Sequence, residues 1–231
     1  MIRTEDRELE AMVLAGNSPI AVPIEIFIYE DGSSDITVYS CFESIAEEYQ
    51  RLFDGKLLSV EAKKWLDEKL HATVKEFGYE HFDEDIHHLY EFSMYDISKL
   101  NNSDVKFEAK VINGTSELKG VDTALLDAYL INRSAAVVIS DGKLVAVACE
   151  NDITFDDRSV EIFVETDEAY RNKGYGYAAV CAFTEYYLKQ GIHVRYKCAV
   201  SNDASVALAN KCGFEKNGER YAYVCYAFDE E

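Results

Sequence analysis

The sequence predicts a mixed α/β fold in two parts, and three observations support this. The 231-residue chain is 48% apolar and rich in tyrosine and phenylalanine, so it must bury a core rather than stay disordered. Behind a polar stretch at residues 101–104, strand-like and helix-like segments alternate. Their first strand pair is a hairpin and their last strand is expected to be antiparallel, which excludes a plain doubly wound sheet. We therefore predict an N-terminal α/β domain over residues 1–103 and a second domain over residues 104–231.

The N-terminal part reads as a β-hairpin followed by two amphipathic helices, because alternating apolar residues give way to apolar residues at helical spacing. The predicted elements are strands Pro23–Tyr29 and Ile36–Tyr39 and helices Ser44–Phe53 and Ser59–Phe77. The segment His81–His88 brings histidines and carboxylates close together, but its spacing matches no closed metal site. We interpret it as a solvated acidic face and predict no metal.

The C-terminal part alternates between the two periodicities, and its turns are marked by glycine. The dipeptide Asp141-Gly142 is a strong hairpin signal, since both residues tolerate positive φ. The predicted strands are Val105–Ile112, Ala135–Ser140, Lys143–Cys149, Val160–Thr166, His193–Val200 and Tyr221–Phe228, and the predicted helices are Ser116–Leu130, Gly174–Gln190 and Asn202–Cys212.

Composition restricts the partners and the compartment. A formal charge of −20 disfavours nucleic acid and anionic membrane surfaces, which proteins bind chiefly through lysine and arginine, whereas a cationic amine would be attracted. The six cysteines form no CxxC pair and suggest reduced thiols, and neither a signal peptide nor an apolar run of membrane-spanning length is apparent. We expect a cytoplasmic protein. Its oligomeric state is open, with a homodimer among the alternatives.

The segment Arg171–Gly176, which reads Arg-Asn-Lys-Gly-Tyr-Gly, lies between an apolar strand and a long helix. Glycine at two nearby positions lets the backbone approach a ligand, and the amides of a loop and of a helix N-terminus form an anion site. The side chains of Arg171 and Lys173 add positive charge. This pattern suggests a phosphate site formed by Arg171, Asn172, Lys173, Gly174, Tyr175 and Gly176.

A second run opens and closes the next helix. Asn202 and Ser205 stand at its start, and Lys211, Gly213 and Phe214 at its end. Helix capping explains Asn202 and Ser205 about as well as contact with a ligand does.

Together the R-x-x-G-x-G loop and the N-x-x-S…K-x-G-F run resemble the GNAT superfamily of acyl-CoA-dependent N-acyltransferases, and the wording of residues 160–216 looks most like its zwittermicin-resistance branch. The resemblance covers about residues 135–228 and implies a GNAT-like fold that uses acetyl-CoA. It places the CoA diphosphate on the loop amides, and the pantetheine arm and thioester carbonyl on main-chain groups near Phe163, Val164 and Glu165. Asn202 and Ser205 would face the same cofactor.

Amine acylation requires a base, an oxyanion donor and a proton for the leaving thiolate. Glu161 and Glu165 share one face of the predicted strand and are the candidate bases, unless they merely face solvent. An N–H near Val164 is the candidate oxyanion donor. Many relatives carry a tyrosine that protonates the thiolate, where this chain has Ala209. Tyr196, Cys198 and water are the alternatives.

Three functions remain open at this point. The first is acetylation of a small-molecule amine by direct attack in a ternary complex. The second is acetylation of a protein amine, with residues 1–103 selecting the substrate. The third is a non-catalytic acyl-CoA-binding module, which the absence of the tyrosine favours.

Overall fold

The computed structural model describes residues 2–4, 20–76, 81–82, 87–123, 134–154 and 158–226. They form two compact units, one of residues 1–89 with 218–231 and one of residues 90–217. The strands are β1 (Ile2–Thr4), β2 (Ile20–Tyr29), β3 (Ser34–Val38), β4 (His81–Phe82), β5 (His87–Met94), β6 (Lys110–Ile112), β7 (Ala135–Ser140), β8 (Lys143–Thr154), β9 (Ser159–Thr166), β10 (His193–Ala199) and β11 (Glu215–Tyr226). The α-helices are α1 (Glu43–Phe53), α2 (Val60–Glu76), α3 (Tyr175–Leu188) and α4 (Asp203–Cys212). The mixed α/β prediction is confirmed.

The first unit joins parallel and antiparallel strands. β1 runs parallel to β3, β2 is antiparallel to β3, and β11 is antiparallel to β2 and β4. The core is formed by apolar residues of β2, β3, α1, α2 and β11, among them Ile24, Ile36, Tyr49, Leu66 and Tyr223. Ser59 Oγ accepts the N–H of Ala62 and so caps the start of α2. The predicted hairpin is confirmed with boundaries within three residues, and both predicted helices are confirmed within one residue.

The second unit has the strand order β5-β10-β9-β8-β7-β6. β9 and β10 are parallel, and β6, β7, β8 and β9 are successively antiparallel. Even-numbered residues of β9 and β10, such as Val160, Ile162, Val194 and Tyr196, pack with α3 and α4 into one core. The odd-numbered residues of these strands consequently point to the opposite face.

Several predicted boundaries were wrong. The strand predicted from Val105 is confined to Lys110–Ile112. The helix predicted from Ser116 is a 3-10 turn, Thr115–Leu118, because Gly120 at φ 81° turns the chain, and residues 124–130 lie outside the described residues. β11 begins six residues before the predicted Tyr221.

The segment His81–His88 is described only at its two ends, so its interpretation as a solvated acidic face stays a prediction. His87 and His88 begin β5, a strand that sequence reasoning missed, while residues 83–86 lie outside the described part of the chain. In β5 the apolar residues Tyr90, Phe92 and Met94 alternate with Glu91 and Ser93, yet all four residues from Glu91 to Met94 are buried, so both faces of the strand are covered there.

The polar stretch at residues 101–104 does not separate the two compact units, although it suggested the boundary at residue 103. It lies inside the second unit, where Asn101 N donates to Cys212 O at 2.9 Å and Tyr177 Oη donates to Asn101 O at 2.6 Å. Within the described ranges, no helix is long and apolar enough to cross a membrane.

Candidate active site

The loop between β9 and α3 has the backbone conformation expected of an anion site. After the short 3-10 turn Glu168–Tyr170, Asn172 and Gly174 both adopt left-handed conformations, with φ of 61° and 99°. α3 then begins at Tyr175, and Gly174, its N-cap residue, brings no capping side chain. N–H groups of the first turn of α3 are therefore available to a ligand, with the positive end of the helix dipole behind them.

Gly176 is required by packing. A Cβ on Gly176 would lie 2.7 Å from Thr166 Oγ1, at the end of β9. Any larger residue would therefore require the Thr166 side chain or the first turn of α3 to move. Glycine at this position thus keeps the loop close to the end of β9.

The cationic side chains of the loop hold it in shape. Arg171 donates from Nε to Thr166 O and from Nη2 to Glu165 Oε1, both at 3.1 Å. Lys173 Nζ donates to Ala169 O at 2.8 Å. Glu165 is therefore the ion-pair partner of Arg171, half-buried beside the loop.

The parallel ladder between β9 and β10 ends before either strand does. Its register runs from Ser159 with His193 to Ile162 with Tyr196. Beyond that pair, β9 continues to Thr166 and β10 to Ala199, but residues 163–166 and 197–199, all within the described ranges, do not pair with each other. Phe163 and Val164, the residues predicted to meet the thioester, lie directly past this end of the ladder.

Glu161 lies one residue before the end of the ladder, and both of its oxygens are engaged. Asn151 Nδ2 donates to Oε1 at 2.8 Å, and Lys197 Nζ lies 2.6 Å from Oε2. Lys197 also lies 3.7 Å from Glu91 Oε1 on β5. Glu161 exposes only 8% of its surface, which contradicts the alternative that it merely faces solvent.

The pKa of Glu161 reflects opposing causes. Burial on its own raises it, but the charge of Lys197, the hydrogen bonds from Lys197 and Asn151, and the charge of Arg195 together outweigh burial. The pKa of this carboxyl therefore lies below its ordinary value. Glu161 is held as an anion in a fixed orientation.

The start of α4 contains a hydroxyl pair. Asn202 Oδ1 accepts the N–H of Ser205 at 3.0 Å and caps the helix, while Ser205 Oγ lies 2.8 Å from Tyr196 Oη. Tyr196 is 1% exposed, and burial raises the pKa of its phenol to about 12, so the phenol keeps its proton. Burial also raises the pKa of the Cys198 thiol. Ala209 is fully buried one turn after Ser205.

The structure brings most of the predicted site residues to the end of the second unit's sheet where β9 and β10 finish. Residues 163–165 and the loop 171–176 are continuous through β9, and Ser205 lies beside Tyr196 of the neighbouring strand. Sequence reasoning missed Lys197, Glu91 and Asn151. Only the alternation of His193–Val200 as a strand could have placed Lys197 on the face of Glu161.

No group of three or more histidine, cysteine, aspartate or glutamate side chains suited to a metal occurs among the residues that the structure describes.

Comparison with solved structures gives distant relatives. A Drosophila protein aligns with a TM-score of 0.51 at 13% identity, over 69% of this chain and 56% of its own. An acetyltransferase of the GNAT family from Colwellia psychrerythraea aligns over 90% of this chain and 82% of its own, at 14% identity and a TM-score of 0.47. A GCN5-related N-acetyltransferase-like protein from Streptococcus suis aligns over 68% and 69%, at 19% identity and a TM-score of 0.48.

The sequence comparisons are more decisive. No curated protein matches the sequence. Residues 43–226, however, match the family described as GNAT acetyltransferase, and they include the loop, the end of the ladder and the hydroxyl pair. The chain belongs to the GNAT acetyltransferase family.

Proposed function

We propose that this chain transfers the acetyl group of acetyl-CoA to the amine of a small molecule by direct attack within a ternary complex. The observation that carries the proposal is the juxtaposition of the glycine loop with the end of the β9–β10 ladder. One offers amides for a diphosphate and the other offers main-chain groups for a pantetheine arm and a thioester. Family membership makes acyl transfer from acyl-CoA the expected chemistry.

The residues present fit acyl-CoA. Asn172 and Gly174 in left-handed conformations orient the loop amides, and Gly176 lets them approach the end of β9. We propose that Arg171 and Lys173 exchange their present carbonyl contacts for phosphate oxygens, while Tyr175 begins the helix beneath them. Asn202 and Ser205 would border the cofactor from α4. Bound acyl-CoA supplies an activated acyl group.

The acceptor side would lie along the odd-numbered face of β9. We propose that Glu161, ionised and fixed by Asn151 and Lys197, accepts the amine proton directly or through one water. Glu165 is the second candidate; it is more exposed than Glu161 and its partner Arg171 belongs to the loop. The N–H near Val164 would stabilise the developing oxyanion.

For the leaving thiolate, we propose that the Tyr196 proton is delivered through Ser205. The two oxygens are within hydrogen-bond distance, and Ser205 lies in the first turn of α4, nearer the surface than Tyr196. We also propose that the chain belongs to the zwittermicin-resistance branch, which the wording of residues 160–216 resembles. The acceptor is proposed to be a cationic amine, because the net charge of −20 would attract one.

Two measurements on the full chain test the acyltransferase function. Calorimetry with CoA and acetyl-CoA should detect binding, and release of free CoA with a panel of small amines should detect turnover. Glu161→Gln should lower kcat by about 10²–10⁴-fold, the range for a general base, with little change in CoA affinity. Glu185→Gln, which removes an exposed carboxylate that pairs with Lys189, is the matched control and should change neither quantity. Binding without any turnover would instead support the non-catalytic acyl-CoA-binding module.

The role of Tyr196 has its own test. Tyr196→Phe should lower kcat, and the loss should shrink when the acyl donor carries a thiol of lower pKa, which needs less protonation to leave. A purely structural role of Tyr196 would lower kcat equally for both donors. That result would refute the proton-donor role.

A further inference from the structure

An amine of the protein itself occupies the candidate reaction centre. Lys197 Nζ lies 2.6 Å from Glu161 Oε2, the proposed base, and 3.7 Å from Glu91 Oε1. Its side chain is 21% exposed, so the amine is sheltered but not sealed from the outside. Lys189 on the surface, by contrast, pairs with the single exposed carboxylate of Glu185.

The position of Lys197 along β10 is equally specific. The last matched pair of the parallel ladder is Ile162 with Tyr196, so Glu161 precedes this pair on β9 and Lys197 follows it on β10. Amine and carboxylate therefore meet at the end of the ladder. The acyl group is proposed to bind at this end, next to Phe163 and Val164.

Resting on the proposed function, we propose that Lys197 is a self-acetylation site. In the absence of an acceptor amine, Glu161 takes a proton from Lys197, and Nζ attacks the carbonyl carbon of the acyl thioester. The new C–N bond forms as the C–S bond breaks, and the electron pair leaves with the CoA sulfur as thiolate. The nitrogen loses a second proton as the amide forms; one of the two protons goes to the thiolate and the other leaves to solvent, so the products are N-acetyl-Lys197, free CoA and one proton.

The product differs from the starting state in charge. An acetylated Lys197 is neutral, and its amide N–H is a weaker partner for Glu161 than an ammonium. Glu161 and Glu91 would then share a sheltered space without the charge of Lys197, so the pKa of Glu161 would rise. The acetyl amide would also occupy the space beside Glu161 that an acceptor amine needs, so self-acetylation would lower later turnover.

The experiment uses the full chain with isotopically labelled acetyl-CoA and no amine. Peptide mapping by mass spectrometry follows each lysine with time. We expect one label at Lys197, at a rate per molecule that does not depend on protein concentration and that rises with pH, because only the neutral amine attacks. Exposed Lys189 serves as the internal reference for uncatalysed acetylation.

Three variants sharpen the result. Lys197→Arg keeps the ion pair with Glu161 and should abolish the label, while Lys189→Arg should leave labelling of Lys197 unchanged. Glu161→Gln should slow it at least tenfold. Thermal unfolding of each variant identifies any that fail to fold. If one does, the peptide map of labelled lysines in the wild-type chain still tests the proposal.

The outcomes separate this inference from the proposed function. Labelling confined to Lys197 supports self-acetylation. If CoA binds and amines are acetylated while Lys197 stays unmodified, or if label spreads over lysines according to their exposure, self-acetylation is refuted and the acyltransferase function stands. If calorimetry finds no CoA binding and no lysine is labelled, both fail.

Discussion

The close contact at Gly176 gives the sharpest prediction. In Gly176→Ala, the new Cβ would lie 2.7 Å from Thr166 Oγ1. Overpacking of this kind costs about 1–3 kcal/mol, and the helix preference of alanine over glycine returns about 1 kcal/mol. We expect the free energy of unfolding to fall by about 1 kcal/mol, which lowers Tm by about 2–4 °C for a chain of this size. The helix start moves away from β9, so the Kd for CoA should rise at least about tenfold, or about 1.4 kcal/mol.

Changes at Thr166 provide the controls for this contact. Thr166→Ala removes the atom that the new Cβ would strike, so the double variant should recover much of the lost stability and CoA affinity. Thr166→Val puts a methyl group in place of the hydroxyl and should not rescue. A double-mutant cycle from thermal unfolding and calorimetry measures the coupling. If Gly176→Ala raises Tm, as in an unobstructed helix, and leaves the Kd for CoA unchanged, the close approach of α3 to β9 is wrong.

Three further predictions concern the other parts of the site. Asn202→Ala should cost about 1 kcal/mol of unfolding free energy, because the N–H of Ser205 loses its cap, while Asn202→Asp should cost little; chemical denaturation measures both. The pKa of Glu161 is lowered in the folded protein, so the stabilising contribution of this carboxyl is complete above the ordinary pKa of a glutamate, about 4.3, and is lost as pH falls through the folded pKa. Thermal unfolding from pH 6 downward should show a smaller loss in Glu161→Gln than in the wild type, and equal losses would contradict the pairing. Lys197→Met removes the nearest cation of Glu161 and leaves this carboxyl facing Asn151, Arg195 and Glu91, so its pKa should rise. The acidic limb of the pH profile of kcat/KM should therefore move to higher pH. Lys197→Arg keeps the cation and should leave this limb in place.

Local sequence signals located the loop better than the cluster of Glu161, Lys197 and Glu91. The positive φ of Gly174 and the C-cap at Gly213 were predictable because glycine tolerates positive φ and commonly ends helices. Both signals depend only on neighbouring residues in the chain. The cluster of Glu161, Lys197 and Glu91 joins three strands, and the sequence contains no signal for strand register. The sequence did carry a signal for β5, since Tyr90, Phe92 and Met94 alternate with Glu91 and Ser93, but it gave no sign that both of these polar side chains are buried. Long-range pairing of polar residues is thus the part of the site that required coordinates.

The alanine at position 209 is better explained by packing than by loss of catalysis. Ala209 is fully buried in the same core as Tyr196, so a tyrosine side chain at position 209 would need space that this core does not have. Tyr196 already brings a phenol from β10 to the first turn of α4, where it meets Ser205. Ser205 and Ala209 are four residues apart and so lie on one face of the helix. A phenol is therefore present beside this helix face even though the helix itself supplies no tyrosine. The absence of a tyrosine at position 209 thus no longer favours the non-catalytic alternative, and the phenol of Tyr196 is the group to test.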